Sequence, residues 1–126
     1  MLFQRNKLLK EIRYRKNKNR SLDVWNEQLC RYGAKIISMR MDLLKKMVPT
    51  TRGLHRILTG GAEEIDIRYI SSIGIKNHAG EEEIYSQFRN SLKIIEDDEI
   101  SRAHSLMGPH RDDLLILING SDARIY

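Results

Sequence analysis

The stretch SLDVWNEQLCRYGAKIISMRMDLLKKMV, Ser21 to Val48, contains no proline, and its large apolar residues Leu22, Trp25, Leu29, Tyr32, Ile36, Met39 and Leu43 fall alternately three and four positions apart. That spacing is an a/d heptad seam held for three heptads, which predicts one long amphipathic helix with this seam as its buried side. Ser21 is a suitable N-cap, Asp23 and Lys45-Lys46 suit the two ends of the helix dipole, and Pro49 predicts the stop. Roughly 28 residues at ~1.5 Å each make a rod of about 40 Å, too long to be buried in a small globule without a partner helix. Leu2, Leu9 and Ile12 continue a similar spacing upstream, and Asn17-Lys18-Asn19-Arg20 supplies a polar connection. Residues 1–48 therefore read as an antiparallel helical hairpin.

Downstream the pattern changes twice. TTRGLHRILTGG is glycine-punctuated and weakly helical, which makes residues 49–62 a connector. In EEIDIRYIS, Ile65, Ile67 and Tyr69 alternate with Glu64, Asp66 and Arg68, the mark of a half-buried strand, and a second short β segment is expected at Ile73 and Ile75. Ile84, Phe88, Leu92 and Ile95 return to helical spacing from Glu81, and Glu96-Asp97-Asp98-Glu99 reads as solvated surface. Leu114 to Ile118 is a short apolar run suited to a buried strand, and Asn119-Gly120 predicts a hairpin turn with Ala123 to Tyr126 returning. The expected architecture is α+β: a long antiparallel helical hairpin plus a small sheet with one further helix, residues 63–126 forming the α/β part and ending inside a hairpin.

With 126 residues the chain is the size of one domain. A single cysteine, Cys30, excludes an internal disulfide and suggests a reducing, cytoplasmic setting; its place in the long helix suits a small packed hydrophobe. No apolar run reaches the ~20 residues of a membrane span. The net charge of +5 is uneven, because residues 1–20 hold eight basic side chains against Glu11 alone, giving +7 there and −2 elsewhere. Such asymmetry points to a polyanion, with nucleic acid first. Arg13, Arg15, Lys16, Lys18 and Arg20 cluster toward the tip of the hairpin and are the candidate DNA-binding residues.

The remaining candidate chemistry is Gly108-Pro109-His110-Arg111-Asp112-Asp113. His110-Arg111-Asp112 matches a kinase catalytic-loop triplet, but Leu117 stands where a metal-holding Asn belongs, and no glycine-rich phosphate loop accompanies it. As metal ligands, His110, Asp112 and Asp113 are consecutive rather than spaced by a helix or strand period. The residues themselves favour a structural reading in which Pro109 punctuates the chain and the aspartates charge the mouth of a strand. No catalytic residue and no metal site is assigned.

GPHRDDLLILINGSDARIY, together with QRN at Gln4 to Asn6 and the helix LDVWNEQLCRYGAKIISMR, closely resembles the second half of the RecF family of bacterial recombination mediators, relatives of the SMC and ABC-type ATPases. The resemblance implies a fragment, residues 1–126 forming the single arm or lid lobe of a larger ATPase, whose phosphate loop, Ser-x-Gly-Gln signature and magnesium-binding acidic motif lie outside this chain. By the same resemblance the parent protein is a cytoplasmic, nucleoid-associated weak ATPase that uses ATP and magnesium and dimerises around two nucleotides. It is expected to bind gapped or duplex DNA and, with RecO and RecR, to help load RecA on single-stranded DNA. The chain itself is then a non-catalytic arm without a cofactor of its own. The alternative is a helical dimerisation or docking module without direct DNA contact.

Overall fold

The computed structural model describes residues 1–15, 21–76 and 78–125. Among the described residues three α-helices, α1 (Leu2–Arg15), α2 (Ser21–Leu58) and α3 (Glu81–Arg102), accompany a three-stranded antiparallel sheet of β1 (Ile65–Ile70), β2 (Asp113–Ile118) and β3 (Ser121–Asp122), in that order across the sheet. The α+β class is as expected. Two cores hold it together. The larger joins Leu29, Cys30, Ala34, Ile37 and Met41 of α2 to Ile84, Phe88 and Leu92 of α3, with Tyr69, Ile73 and Ile75 closing it; the smaller joins Leu8, Leu9 and Ile12 of α1 to Leu22 and is flanked by Trp25 and Ile100.

Two helix ends correct the sequence reading. α2 does not stop at Pro49 but carries it inside and runs to Leu58, so most of the expected 49–62 connector is helix. A proline in a helix interior costs about 3 kcal/mol through its missing N–H and the clash with the turn before it. Beyond it the helix is tied to β1 and the residues just before it: Arg52 donates to the Asp66 carboxylate at 2.6 Å and the Ile65 carbonyl at 3.3 Å, His55 meets Glu63 at 3.1 Å, and Arg56 reaches Glu64 at 3.0 Å. The helix closes where the Gly61 N–H donates to the Arg56 carbonyl at 2.8 Å. α3 likewise passes Ile95 and ends at Arg102, with Ala103 left-handed at φ 53°.

The seam of α2 is also corrected. Leu22 and Leu29 are buried and Trp25 half-buried, but Tyr32, Ile36, Met39 and Leu43 are 57%, 41%, 62% and 56% exposed. The buried side instead runs through Cys30, Gly33, Ala34, Ile37 and Met41. A straight helix of 3.6 residues per turn drifts ~20° per heptad away from a strict seven-residue repeat. The small residues Cys30, Gly33 and Ala34 let α3 approach closely on the other side of the drift, and α3, rather than α1, is the main partner of α2.

The strands pair Ile65 with Ile118, Ile67 with Ile116 and Tyr69 with Leu114. Asn119 at φ 50° and Gly120 at φ 81° make the predicted two-residue turn. The return strand is Ser121–Asp122, after which Ala123–Ile125 coils into a 3-10 turn, and Tyr126 lies outside the described residues. β2 is a strand but not a buried one, since Leu114 and Ile116 are 45% and 38% exposed. Ile73 and Ile75 are buried in an irregular segment rather than in a strand.

Candidate functional site

Gly108-Pro109-His110-Arg111-Asp112-Asp113 folds as a 3-10 turn over Pro109–Arg111, followed by the start of β2. Gly108 enters it at φ 136°, a backbone region that side chains strain, and a Cβ there would stand 2.9 Å from His110 Nδ1. Each polar residue then turns to a different neighbour. The Asp112 carboxylate accepts from the Tyr69 hydroxyl and, at 2.7 Å, from the Ser72 N–H. Ser72 Oγ both accepts from the Gly108 N–H at 3.0 Å and donates to the Gly108 carbonyl at 3.2 Å. Arg40 of α2 donates to the Pro109 carbonyl at 2.9 Å and to the Tyr69 oxygen at 3.2 Å. His110 Nε2 lies 3.2 Å from the Ser105 carbonyl, which can only accept, so that nitrogen carries the proton. Asp113 is exposed and lies 3.6 Å from Arg124.

His110, Asp112 and Asp113 thus diverge, and among the described residues no group of three or more His, Cys, Asp or Glu side chains could hold a metal ion.

Burial pushes the Tyr69 hydroxyl up to about 12, reinforced by its bond to Asp112 and opposed by Arg40. A folded-state value above the ordinary 10 means that this contribution is whole below pH ~10 and is lost as pH rises toward 12. The Cys30 thiol, pushed by burial from 9 up to about 12, loses stability on the same alkaline side. Stability from urea denaturation is therefore expected to fall between pH 9 and pH 11, and Tyr69→Phe to reduce that fall by about 1 kcal/mol. An identical fall in the variant would exclude Tyr69 as its source.

A second polar cluster lies deeper, and the sequence reading has no counterpart for it. Arg5 of α1 and Glu99 of α3 are 1% and 0% exposed and pair bidentately at 2.8 and 2.9 Å. Arg5 also donates to Asn26 at 2.8 and 3.0 Å and to Ser105 Oγ at 2.7 Å. Ser105 in turn donates to Asn6 through its hydroxyl at 2.6 Å and its N–H at 2.8 Å, and Glu99 accepts the Leu106 N–H at 2.9 Å. Among the described residues no buried side-chain polar atom lacks a partner. The signal was in the sequence: Arg5 interrupts the apolar row of α1, and Glu99 continues the row Phe88, Leu92, Ile95 at helical spacing. The expectation of solvated surface for the acidic run is overturned at Glu99.

Of the candidate DNA-binding residues, Arg13 is exposed on α1, in company with exposed Lys7 and Lys10. Among the described residues these three make no ion pair or side-chain hydrogen bond. Arg15 is the last residue of α1. Its side chain, like Lys16, Lys18 and Arg20, lies outside the described residues, as does the expected connection Asn17 to Arg20.

Known proteins share both the sequence and the fold. The chain is 50% identical over all 126 residues to the DNA replication and repair protein RecF of Pelotomaculum thermopropionicum, covering 35% of that protein. It is 48% identical to the RecF of Desulforamulus reducens, covering 34% of it. A solved structure of the recombination mediator protein RecF-ATP in the RecFOR pathway matches 99% of the chain with a TM-score of 0.91 at 33% identity, over 33% of its own length. The resemblance to RecF holds over the whole chain. The chain spans about a third of the length of these RecF proteins. No family model matches it. Among the described residues no helix is long and apolar enough to cross a membrane.

Proposed function

We propose that this chain is the non-catalytic arm or lid lobe of a RecF-type recombination mediator and that its basic first arm contacts DNA phosphates. The parent protein, on this reading, binds ATP and magnesium through segments outside the chain, dimerises around nucleotide, binds gapped or duplex DNA and acts with RecO and RecR to help load RecA. The observation that carries the reading is the placement of charge. Lys7, Lys10 and Arg13 stand exposed on α1 and unpaired among the described residues, in a chain matched end to end by DNA replication and repair proteins. The Gly108–Asp113 segment serves as an internal brace, joining α2, β1 and the turn after β1 through Arg40, Tyr69 and Ser72.

Duplex-DNA binding across a salt series tests the reading, on the 126-residue chain and on a RecF-length protein carrying it. Replacing Arg15, Lys16 and Lys18 by Ala is expected to weaken binding and to make the log-log salt slope shallower by about 0.9 for each phosphate no longer neutralised. An unchanged slope there, and again when Lys7, Lys10 and Arg13 are replaced by Ala, removes the electrostatic role.

The docking-module reading is favoured by one observation, the exposed half of the α2 seam at Tyr32, Ile36, Met39 and Leu43. A heptad stripe left open can pair with the same stripe of a second copy. Sedimentation of the chain at two concentrations is the check: a concentration-dependent dimer abolished by Ile36→Glu supports it, and a monomer at both concentrations removes it.

A further inference from the structure

The outer edge of β1 lies open beside a pocket under α2. In an antiparallel pair, residues alternate between those whose N–H and carbonyl point at the partner strand and those whose groups point away from it. Asn119 donates to the Glu64 carbonyl at 2.8 Å, which fixes the phase: the backbone of Asp66 and Arg68 pairs with β2, and Ile65, Ile67 and Tyr69 turn their backbone groups outward. Two of those outward groups are already engaged, the Ile65 carbonyl by Arg52 at 3.3 Å and the Ile67 N–H by the Asp66 carboxylate at 3.0 Å. Among the described residues nothing pairs with the Ile67 carbonyl or the Tyr69 N–H. Beside them is a cavity of about 280 Å³, floored by Met41, Leu44 and Val48 of α2 and by Ile67 of β1. Lys45, Arg52 and Arg68 line its exposed side, and a single carboxylate, Asp66, pairs with both arginines.

We propose that this edge accepts one further strand, an extended peptide segment of alternating acidic and aliphatic residues supplied by a partner protein. One residue of a strand added parallel to β1 donates its N–H to the Ile67 carbonyl and accepts the Tyr69 N–H with its own carbonyl, so one register satisfies both open groups. The side chain of that residue falls on the face of Arg68, and its two neighbours fall on the face of Ile67 and Tyr69, toward the cavity. An acidic residue with an aliphatic one on either side therefore matches what the site offers, a cation on one face and an apolar floor on the other. A nucleic-acid backbone has no aliphatic side chain for that floor, and the inference stands apart from the DNA-contact reading. A second copy of this chain would bring its own Lys45, Arg52 and Arg68 to the junction, where like charges oppose it.

Fluorescence anisotropy tests this on a RecF-length protein carrying the lobe and on the 126-residue chain, with the fluorescein-labelled peptide Ser-Asp-Ile-Asp-Val-Asp-Ser. The shuffled peptide Ser-Ile-Val-Asp-Asp-Asp-Ser, equal in charge and apolar content, is expected to bind about tenfold more weakly, as is the original peptide N-methylated at its central Asp, which lacks the N–H for Ile67. Lys45→Glu with Arg68→Glu, both at exposed positions and checked for folding by circular dichroism, is expected to weaken binding about tenfold and to flatten its salt dependence. Equal binding of the N-methylated and unmodified peptides overturns strand addition, and equal binding of the shuffled peptide overturns the alternating register. Unchanged affinity in the charge-reversed variant overturns the acidic character of the ligand. Failure of both unaltered proteins to bind the peptide at low salt overturns the inference as a whole. Binding by the 126-residue chain but not by the RecF-length protein means that the rest of the polypeptide fills the edge, and overturns the assignment to a partner.

Discussion

Replacing Glu99 by Ala is expected to lower the stability of the fold by about 3–5 kcal/mol, because it strands the Arg5 guanidinium in the interior with only Asn26 and Ser105 for company. A domain of this size has about 5–15 kcal/mol in total, so the variant should stand near the edge of folding. The size of the loss does not mean the pair stabilises by that amount. Removing two charges from water costs several kcal/mol for each ion, and their attraction in the interior does little more than restore it. Changing both partners together, Arg5→Met with Glu99→Leu, should therefore lose less than Glu99→Ala alone, leaving chiefly the Leu106 N–H and Asn26 to find new partners. Urea denaturation followed by circular dichroism measures all three proteins. A loss under about 1 kcal/mol in Glu99→Ala would mean that water reaches Arg5 and that the pair is not the buried joint described above.

What this joint connects explains its place. Arg5 comes from the first helix, Asn26 from the second and Glu99 from the last turn of the third, while Ser105 and Leu106 begin the path into the Gly108–Asp113 segment. The smaller apolar core of Leu8, Leu9, Ile12 and Leu22 has little surface with which to fix the angle between the helices. Directed hydrogen bonds to a planar guanidinium fix an angle that aliphatic side chains leave loose.

The parts of the fold that were legible in the sequence are those where one residue dictates a local conformation. Asn119-Gly120 gave its turn, the alternation of Ile65, Ile67 and Tyr69 gave its strand, and the fold class followed from the change of period near residue 62. The misread elements depended on what lay across from them. Pro49 looked like an end because the arginines beyond it are matched to acidic residues on, and just before, a strand that follows it in the chain. The heptad seam looked like a core because large side chains were counted and small ones were not, whereas Cys30, Gly33 and Ala34 decide which side α3 approaches. In the candidate site, the bonding of Asp112 and Arg40 could not be read from spacing, since their partner Tyr69 is 43 residues away from one and 29 from the other.

Phe88→Ala is expected to cost about 3–5 kcal/mol, and its surroundings make the loss informative about the candidate site as well as the core. The ring is fully buried, with its tip between two glycines: a Cβ on Gly33 would lie 3.9 Å from it, and a Cβ on Gly108 would lie 3.5 Å from it. These glycines are there for different reasons. Gly33 is helical, and its added Cβ would meet Pro109 Cδ at 3.3 Å, so Ala at this position exchanges close packing for better helix propensity and the net change should be small. Gly108 has φ 136°, so Ala there is strained by about 1–3 kcal/mol whatever space surrounds it, and it also collides with the His110 ring. Removing Phe88 therefore should not rescue Gly108→Ala. A double-mutant cycle separates Phe88 from the other causes: losses that add within about 0.5 kcal/mol place the requirement at Gly108 in its own backbone and the His110 contact, while strong rescue would place it in crowding by the Phe88 ring. In the first case the turn into β2 is set by the chain itself, and Phe88 packs beneath a conformation it does not create.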